Sequence, residues 1–389
     1  MRITVLGGAG RMGCISVQGL AGDSRVDEVI LADINAQNAE IVTGIVKSPK
    51  VTYQQVDVNH EEQLMGALKG ADACLNATVY YTNLKVMDAC LKSGVPYTDM
   101  GGLFYGTREQ LKLNEAFAEA GVSAVLCTGS APGCPNLQAR YAADRLDTID
   151  SIRIYDGIKP PPPDDLRFSY APVTILDEIR KSPMVFENGE FIAKEPLTGF
   201  EDYWFTPPVG LLPMHLSLHS EVATLPVSFK DKGVKECFFK IDYWGMPGET
   251  IGKIRILADF GFDSEDPVEI NGQRVSPKDV MNKVLAKHVY SLEDMLAAPK
   301  NQPPNWTKEI VTEVRGAKEG EQLMYRLGTL TVKGALPTGI IPAIAAIWLA
   351  EGRIRPGVYP PELALDPEPF FRELEAYDIV TQVSETSKV

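Results

Sequence analysis

Ile3-Thr4-Val5-Leu6-Gly7-Gly8-Ala9-Gly10-Arg11-Met12-Gly13 sets the architecture of the first third of this chain. The run Ile3–Leu6 is apolar and short, as in a buried strand, and it ends on glycines. Gly8, Gly10 and Gly13 form a G-x-G-x-x-G pattern. Helical spacing follows over Arg11–Leu20, and a second apolar run, Glu28–Asp33 (EVILAD), ends on an acid 20 residues after Gly13. Strand, glycine turn, helix and acid-ended strand together make a dinucleotide-binding unit. In such a unit Gly8 permits the tight turn, Gly10 admits a pyrophosphate to the backbone, and Gly13 allows close helix–strand packing. Arg11 and Met12 complete the loop. The helix start offers free N–H groups and the positive end of its dipole to phosphate.

Asp33 is placed to accept hydrogen bonds from the adenosine ribose. A carboxylate there repels a 2′-phosphate, and no Arg follows it (Asp33-Ile34-Asn35). This favours NAD over NADP. Arg11 pulls the other way, because a basic residue in the glycine loop can reach a 2′-phosphate.

Outward from this unit, strand and helix signals alternate. Val51–Val58, Ala73–Ala77, Pro96–Thr98 and Ser123–Cys127 read as strands; Glu61–Lys69, Leu84–Ser93 and Arg108–Ala120 read as helices. Repeated βαβ units predict a doubly wound parallel sheet of the Rossmann type. The pattern changes near Gly129. Ile152–Asp156, Lys235–Tyr243, Gly252–Ala258 and Tyr325–Val332 read as strands, with a helix at Pro277–Lys287 and an irregular proline loop, KPPPPDD, at 159–165. The last part is helical at Ile341–Glu351 and Glu368–Ala376, and the final SETSKV reads as a frayed end. The expected class is α/β: a Rossmann domain (1–133), an inserted α+β domain (134–333) and C-terminal helices returning to the first domain (334–389).

Composition narrows the function. The net charge of −14 in 389 residues repels polyphosphate, which argues against nucleic-acid binding. The uncharged run Gly334–Ala350 contains Pro337 and Pro342 and is short for a membrane span, so a buried helix is expected. The six cysteines form no C-x-x-C pair and no zinc-like Cys/His set. No metal is expected, and reduced thiols fit a cytoplasmic location. No secretory leader precedes the strand at MRITVLGG.

In an open parallel sheet, the carboxyl ends of the strands line the ligand crevice. Asn76 and Thr78 end the fourth strand and are candidate cofactor contacts, as are Pro132 and Asn136 in the turn SAPGCPN; an Asx-turn or helix cap explains Asn76 equally well. Tyr97 and Asp99 end the fifth strand, and Asp99 is a candidate general base or ammonium anchor. His215 and His219, four apart, share a face in either a helix or a strand, with Glu221 two further on. His219 is a second candidate base; His215 and Glu221 are candidate substrate contacts. Arg167, Tyr170 and Glu178 follow the proline loop, where a guanidinium would grip a substrate carboxylate.

The chain resembles the saccharopine dehydrogenase family, especially its single-chain lysine 6-dehydrogenase-like members. The resemblance rests on GGAGRMG, CLNATVYYTNLKVMDACLKSGVPYTDMGG, GSAPGCPNLQARYAAD, FSYAPVTILDEI, HSEVATLP and LPTGIIPAIAAIWLAEGRIRPGVYPPE, in the family's order. It implies NAD(P)-dependent chemistry at a C–N bond of an amino acid or polyamine substrate, and a homodimer or higher homo-oligomer. Lysine 6-dehydrogenase-like members oxidise an amino-bearing carbon to an imine. Saccharopine- and carboxynorspermidine-forming members run the reductive condensation of an amine with an aldehyde. The segment IKPPPPDD departs from the family's glycine-rich pattern beside the expected substrate pocket. A dihydrodipicolinate reductase-like enzyme shares GRMG but carries a His-His-x-Arg-x-Lys run absent here. A non-catalytic NAD(H)-binding redox sensor is the non-enzymatic alternative.

Overall fold

The computed structural model describes residues 1–159, 168, 171–243, 248–297 and 307–387. Arg167 and Tyr170, and most of the proline loop, lie outside the described residues.

The first sheet contains β1 (Arg2–Leu6), β2 (Glu28–Asp33), β3 (Val51–Gln55), β4 (Ala73–Asn76), β5 (Tyr97–Asp99) and β6 (Ser123–Val125). A late strand, β17 (Gly357–Tyr359), pairs in parallel with β6. The order is β17-β6-β5-β4-β1-β2-β3, and every pair is parallel. The central strands are apolar on both faces because helices cover both faces. Edge strand β3 is only partly buried, which matches its polar sequence VTYQQ. Around this sheet one helix escaped the sequence reading: Ala36–Val46, begun by Asn35, whose side chain accepts from Asn38 N–H. The helix expected over Arg108–Ala120 is two, Leu103–Leu111 and Asn114–Glu119. The second is fixed at its start by Asn114, whose Oδ1 accepts from Val358 N–H of β17 at 2.9 Å.

The second sheet is mixed. It holds β7 (Thr148–Ile158), β8 (Met184–Glu187), β9 (Glu190–Ala193), β10 (Glu201–Trp204), β11 (Leu211–Leu216), β12 (Glu236–Ile241), β15 (Lys308–Lys318), β16 (Glu321–Thr331) and β18 (Val380–Ser387), with β13 (Val268–Ile270) and β14 (Gln273–Val275) in a separate hairpin. At its centre, β7 runs parallel to β12 and antiparallel to β15.

Two sequence expectations change here. Gly252–Ala258 is not a strand but part of a helix, Gly248–Leu257, and the turn after it. Ile251, Ile254 and Ala258 are its buried residues; their spacing of three and four is helical, and the short polar–apolar alternation mimicked a strand. The expected frayed end is also ordered through Ser387: Ser384 pairs with Arg326 and Ser387 with Leu323. A polar edge strand gains ladder hydrogen bonds without burying its side chains.

The helix Leu336–Ala350 packs on the first helix, Gly13–Gly22. Gly339 makes the approach possible: a Cβ there would lie 2.5 Å from Ile15 Cβ, and Ser16 Oγ donates to Gly339 O at 2.8 Å. Pro337 falls in the first turn, where its missing N–H is harmless, and the helix continues through Pro342. Among the described residues, no helix is long and apolar enough to cross a membrane.

Candidate functional site

A cavity of about 660 Å³ opens at the carboxyl ends of β1, β2 and β4, between the two sheets. The parallel sheet contributes the glycine loop, Asp33, Thr78 and Pro132; the mixed-sheet side contributes Asp156, Glu178, His219 and Lys308. Among the described residues, no group of three His, Cys, Asp or Glu side chains is placed to hold a metal.

At the glycine loop, Gly7 rather than Gly8 takes the left-handed backbone, with φ of 73°. A Cβ on Gly7 would lie 2.8 Å from Ala77 O, so the loop can sit against β4 only without a side chain. Gly8 packs instead against Val5 O and Leu31. A Cβ on Gly13 would lie 2.1 Å from Gly7 O. Gly10, Arg11 and Met12 line the cavity. The Asp33 carboxylate closes this end: Oδ2 accepts from Ala9 N–H at 3.0 Å and Oδ1 from Asn35 N–H at 2.9 Å. Burial raises its pKa, against the pull of those N–H groups. The Arg11 Nε donates to Tyr290 O at 2.7 Å. A side-chain-free loop, a helix start and an acid at the end of β2 fit a dinucleotide.

Several sequence candidates sit behind the cavity wall rather than on it. Asn76 is buried; its Oδ1 accepts from Thr78 Oγ1 at 2.6 Å and its Nδ2 donates to Asn83 Oδ1 at 3.0 Å. Thr78 lines the cavity, Asn76 orients it. Asp99 is fully enclosed by four donors. Its Oδ1 accepts from Gly101 N–H (2.9 Å) and Cys127 N–H (2.8 Å), and its Oδ2 from Tyr97 Oη (2.9 Å) and Gln110 Nε2 (2.6 Å). Burial pushes its pKa up, and the donors oppose this. Neither Asp99 nor Tyr97, both candidate catalytic residues in the sequence, is on the cavity wall. They hold the loop Met100–Gly102 in place. Asn136 is buried as well, accepting from Gly133 N–H and donating to Glu362 Oε2 at 2.8 Å, which fixes the turn that carries Pro132 to the rim.

On the far side, the two histidines part company. His215 lies in β11 between Phe200 and Tyr243 and does not reach the cavity. His219 lies beyond the strand end and lines it. Its ring stacks on Phe239, centroids 3.7 Å apart. Nδ1 is 2.8 Å from Glu221 Oε2, and Nε2 is 3.9 Å from Glu178 Oε1. Burial opposes a charged imidazolium, but Glu221, then Glu178 and Asp156, outweigh it, and the His219 pKa is raised. Glu178 shares the cavity; Glu221 stands behind His219 as the first residue of helix Glu221–Ser228.

The sequence reading missed Tyr80, Asp156 and Lys308, which all line the cavity. Tyr80 Oη donates to Asp177 Oδ2 at 2.6 Å, tying the β4 loop to the helix that carries Glu178. Lys308 Nζ lies 2.8 Å from Asp156 Oδ2. Asp156 carried one signal, an acid near the end of the expected strand IRIYD.

Residues 3–125 match the family model of the saccharopine dehydrogenase NADP binding domain, and residues 129–380 match that of the saccharopine dehydrogenase C-terminal domain. The chain belongs to the saccharopine dehydrogenase family. It is accordingly an NAD(P)-dependent dehydrogenase of amine- or imine-type substrates. Carboxyaminopropylagmatine dehydrogenase of Synechocystis sp. is 23% identical to this family member, over 94% of each chain. Carboxynorspermidine synthase of Vibrio alginolyticus is 24% identical, over 91% of this chain and 83% of the relative. Saccharopine dehydrogenase (L-Glu forming) from Saccharomyces cerevisiae shares the fold, with a TM-score of 0.70 at 15% identity and full coverage of both chains.

Proposed function

We propose that this protein is an NAD-linked oxidoreductase acting on the secondary amine, or the matching imine, formed between an amino-acid-derived carbon chain and an amine. The observation that carries the reading is the mixed charge of the cavity beyond the glycine loop. Glu178 and Asp156 suit an ammonium, Lys308 suits a carboxylate, and His219 suits a proton in transit. Two relatives aligned over most of their length are named for carboxylated polyamines, which is the same chemical class. Lysine 6-dehydrogenase-like oxidation, the activity implied by the resemblance noted in the sequence, is the second reading.

Bound at the glycine loop, the nicotinamide dinucleotide supplies or accepts the hydride. The chain's own residues do the rest. In the oxidative direction His219 Nε2 takes the proton that the amine nitrogen must lose. Glu221 keeps the other ring nitrogen protonated and stabilises the imidazolium formed. In the reductive direction the same nitrogen returns a proton to the imine nitrogen. Glu178, 3.9 Å from His219 Nε2, favours the cationic iminium over neutral competitors.

For the cofactor we infer NAD. The family model's description names NADP, but Asp33 places a carboxylate where a 2′-phosphate would go, and the Nε of Arg11 is engaged by Tyr290. The test follows absorbance at 340 nm with NAD or NADP against carboxynorspermidine, saccharopine and L-lysine. Turnover of a secondary amine with NAD supports the reading. Turnover of L-lysine alone favours the second, and turnover of none of them removes both.

A further inference from the structure

We propose that Lys308 and Asp156 form a clamp for the α-amino-carboxylate end of the substrate, with Lys308 taking the carboxylate and Asp156 the ammonium. This deepens the reading above and rests on it for the placement of the reacting nitrogen.

The two residues sit on neighbouring antiparallel strands, β15 and β7, two residues out of direct register: Lys308 faces Ile158, and Ile310 faces Asp156. Their side chains are only 15% and 7% exposed, yet both line the cavity. Among the described residues, other shielded pairs such as Arg326–Glu309 and Lys278–Asp177 lie away from it. No other Lys- or Arg-carboxylate pair among the described residues has both members on its wall. An ion pair with little access to water holds its charges at a desolvation cost, and removing one partner strands the other. A zwitterion entering the cavity avoids that penalty. Its carboxylate and ammonium, borne on one carbon, present the same two charges at similar separation, so each protein group exchanges one opposite charge for another. A bare diamine offers Lys308 nothing, and an ω-amino acid cannot meet both groups at once. Asp156 also contributes to the field at His219. A substrate head held by the clamp thus extends its chain toward His219 and Glu178, where its second nitrogen would react.

The test measures binding by titration calorimetry on the full chain saturated with NAD. The probes are L-lysine, cadaverine (no carboxylate), 6-aminohexanoate (no α-ammonium), and the pair carboxynorspermidine and norspermidine. The wild type is expected to bind each α-amino acid at least about tenfold tighter than its truncated counterpart, equivalent to about 1.4 kcal/mol. Lys308→Met should remove the preference for L-lysine over cadaverine, with cadaverine bound at least as tightly as by the wild type because Asp156 is left without its cation. Asp156→Asn should remove the preference over 6-aminohexanoate. Lys308→Arg should keep both. A wild type that does not discriminate, or that binds none of the probes, overturns the clamp, whatever the variants' stability. Equal losses for every probe overturn it too. Intact discrimination without turnover of any probe sinks the proposed reaction and leaves the clamp standing.

Discussion

His219 Nδ1 lies 2.8 Å from Glu221 Oε2, while Glu221 Oε1 has no hydrogen-bond partner among the described residues. A fully buried carboxylate therefore spends its hydrogen bonding on one imidazole. That is the arrangement of a base and its orienting acid. In the oxidative direction His219 must be neutral to accept a proton, so the rate should rise with pH through its raised pKa. Glu221→Gln removes the nearest charge that raises this pKa and should move the limb to lower pH, by about 1–3 pH units. His219→Ala should lower kcat by about 10²–10⁴-fold. A pH–rate profile of kcat/KM unmoved by Glu221→Gln would reject the assignment.

The same group has a stability consequence. Its folded pKa is above the ordinary value of 6.5. Folded His219 thus binds its proton more tightly than the unfolded chain does. Its stabilisation is full below about pH 6.5 and is lost as pH rises through the folded value. Urea midpoints measured across that window should decline less steeply in His219→Gln than in the wild type.

Asp99→Asn tests scaffolding against chemistry. The amide would turn an N–H₂ toward Tyr97 Oη and Gln110 Nε2, or toward the N–H groups of Gly101 and Cys127. Leaving one such buried donor unpaired costs about 1–3 kcal/mol. Denaturant unfolding should show that loss, with the position of the alkaline-rising limb unchanged. Normal stability with the limb abolished would restore Asp99 as the base.

Asp33→Ala should weaken NAD more than NADP. Losing hydrogen bonds from ribose to a charged acceptor costs about 1.5–3 kcal/mol, or about 10–100-fold in KM for NAD. KM values for both cofactors check this, and equal losses would contradict the cofactor assignment.

Gly339→Ala and Gly44→Ala should differ in sign. Alanine is the better helix former by about 1 kcal/mol. At Gly44 nothing lies within 4 Å of the added Cβ, so a stabilisation of about 0.5–1 kcal/mol is expected. At Gly339 the Cβ meets Ile15 at 2.5 Å, and overpacking of about 1–3 kcal/mol should outweigh the propensity. Thermal melts of the two variants compare them directly.

What could be read from the chain without coordinates is what neighbours in sequence share. ITVLGGAGRMG with EVILAD at its fixed spacing implied β1, the phosphate turn and Asp33, because strand period, glycine freedom and helix period act within a few residues. The same locality explains the errors. GKIRILA alternates over too short a window to separate strand from helix, and Gly7 and Gly8 are equal as letters until β4 crosses behind one of them. Which histidine would matter was not local either. His215 and His219 differ only in where β11 ends relative to the cavity. Lys308 meets Asp156 because β15 returns beside β7, a pairing made by chain crossing and burial across most of the mixed sheet. Local periodicity encodes an element and its exposed face. The juxtaposition of charges from distant elements is created by packing, and that is where the chemistry of this cavity lies.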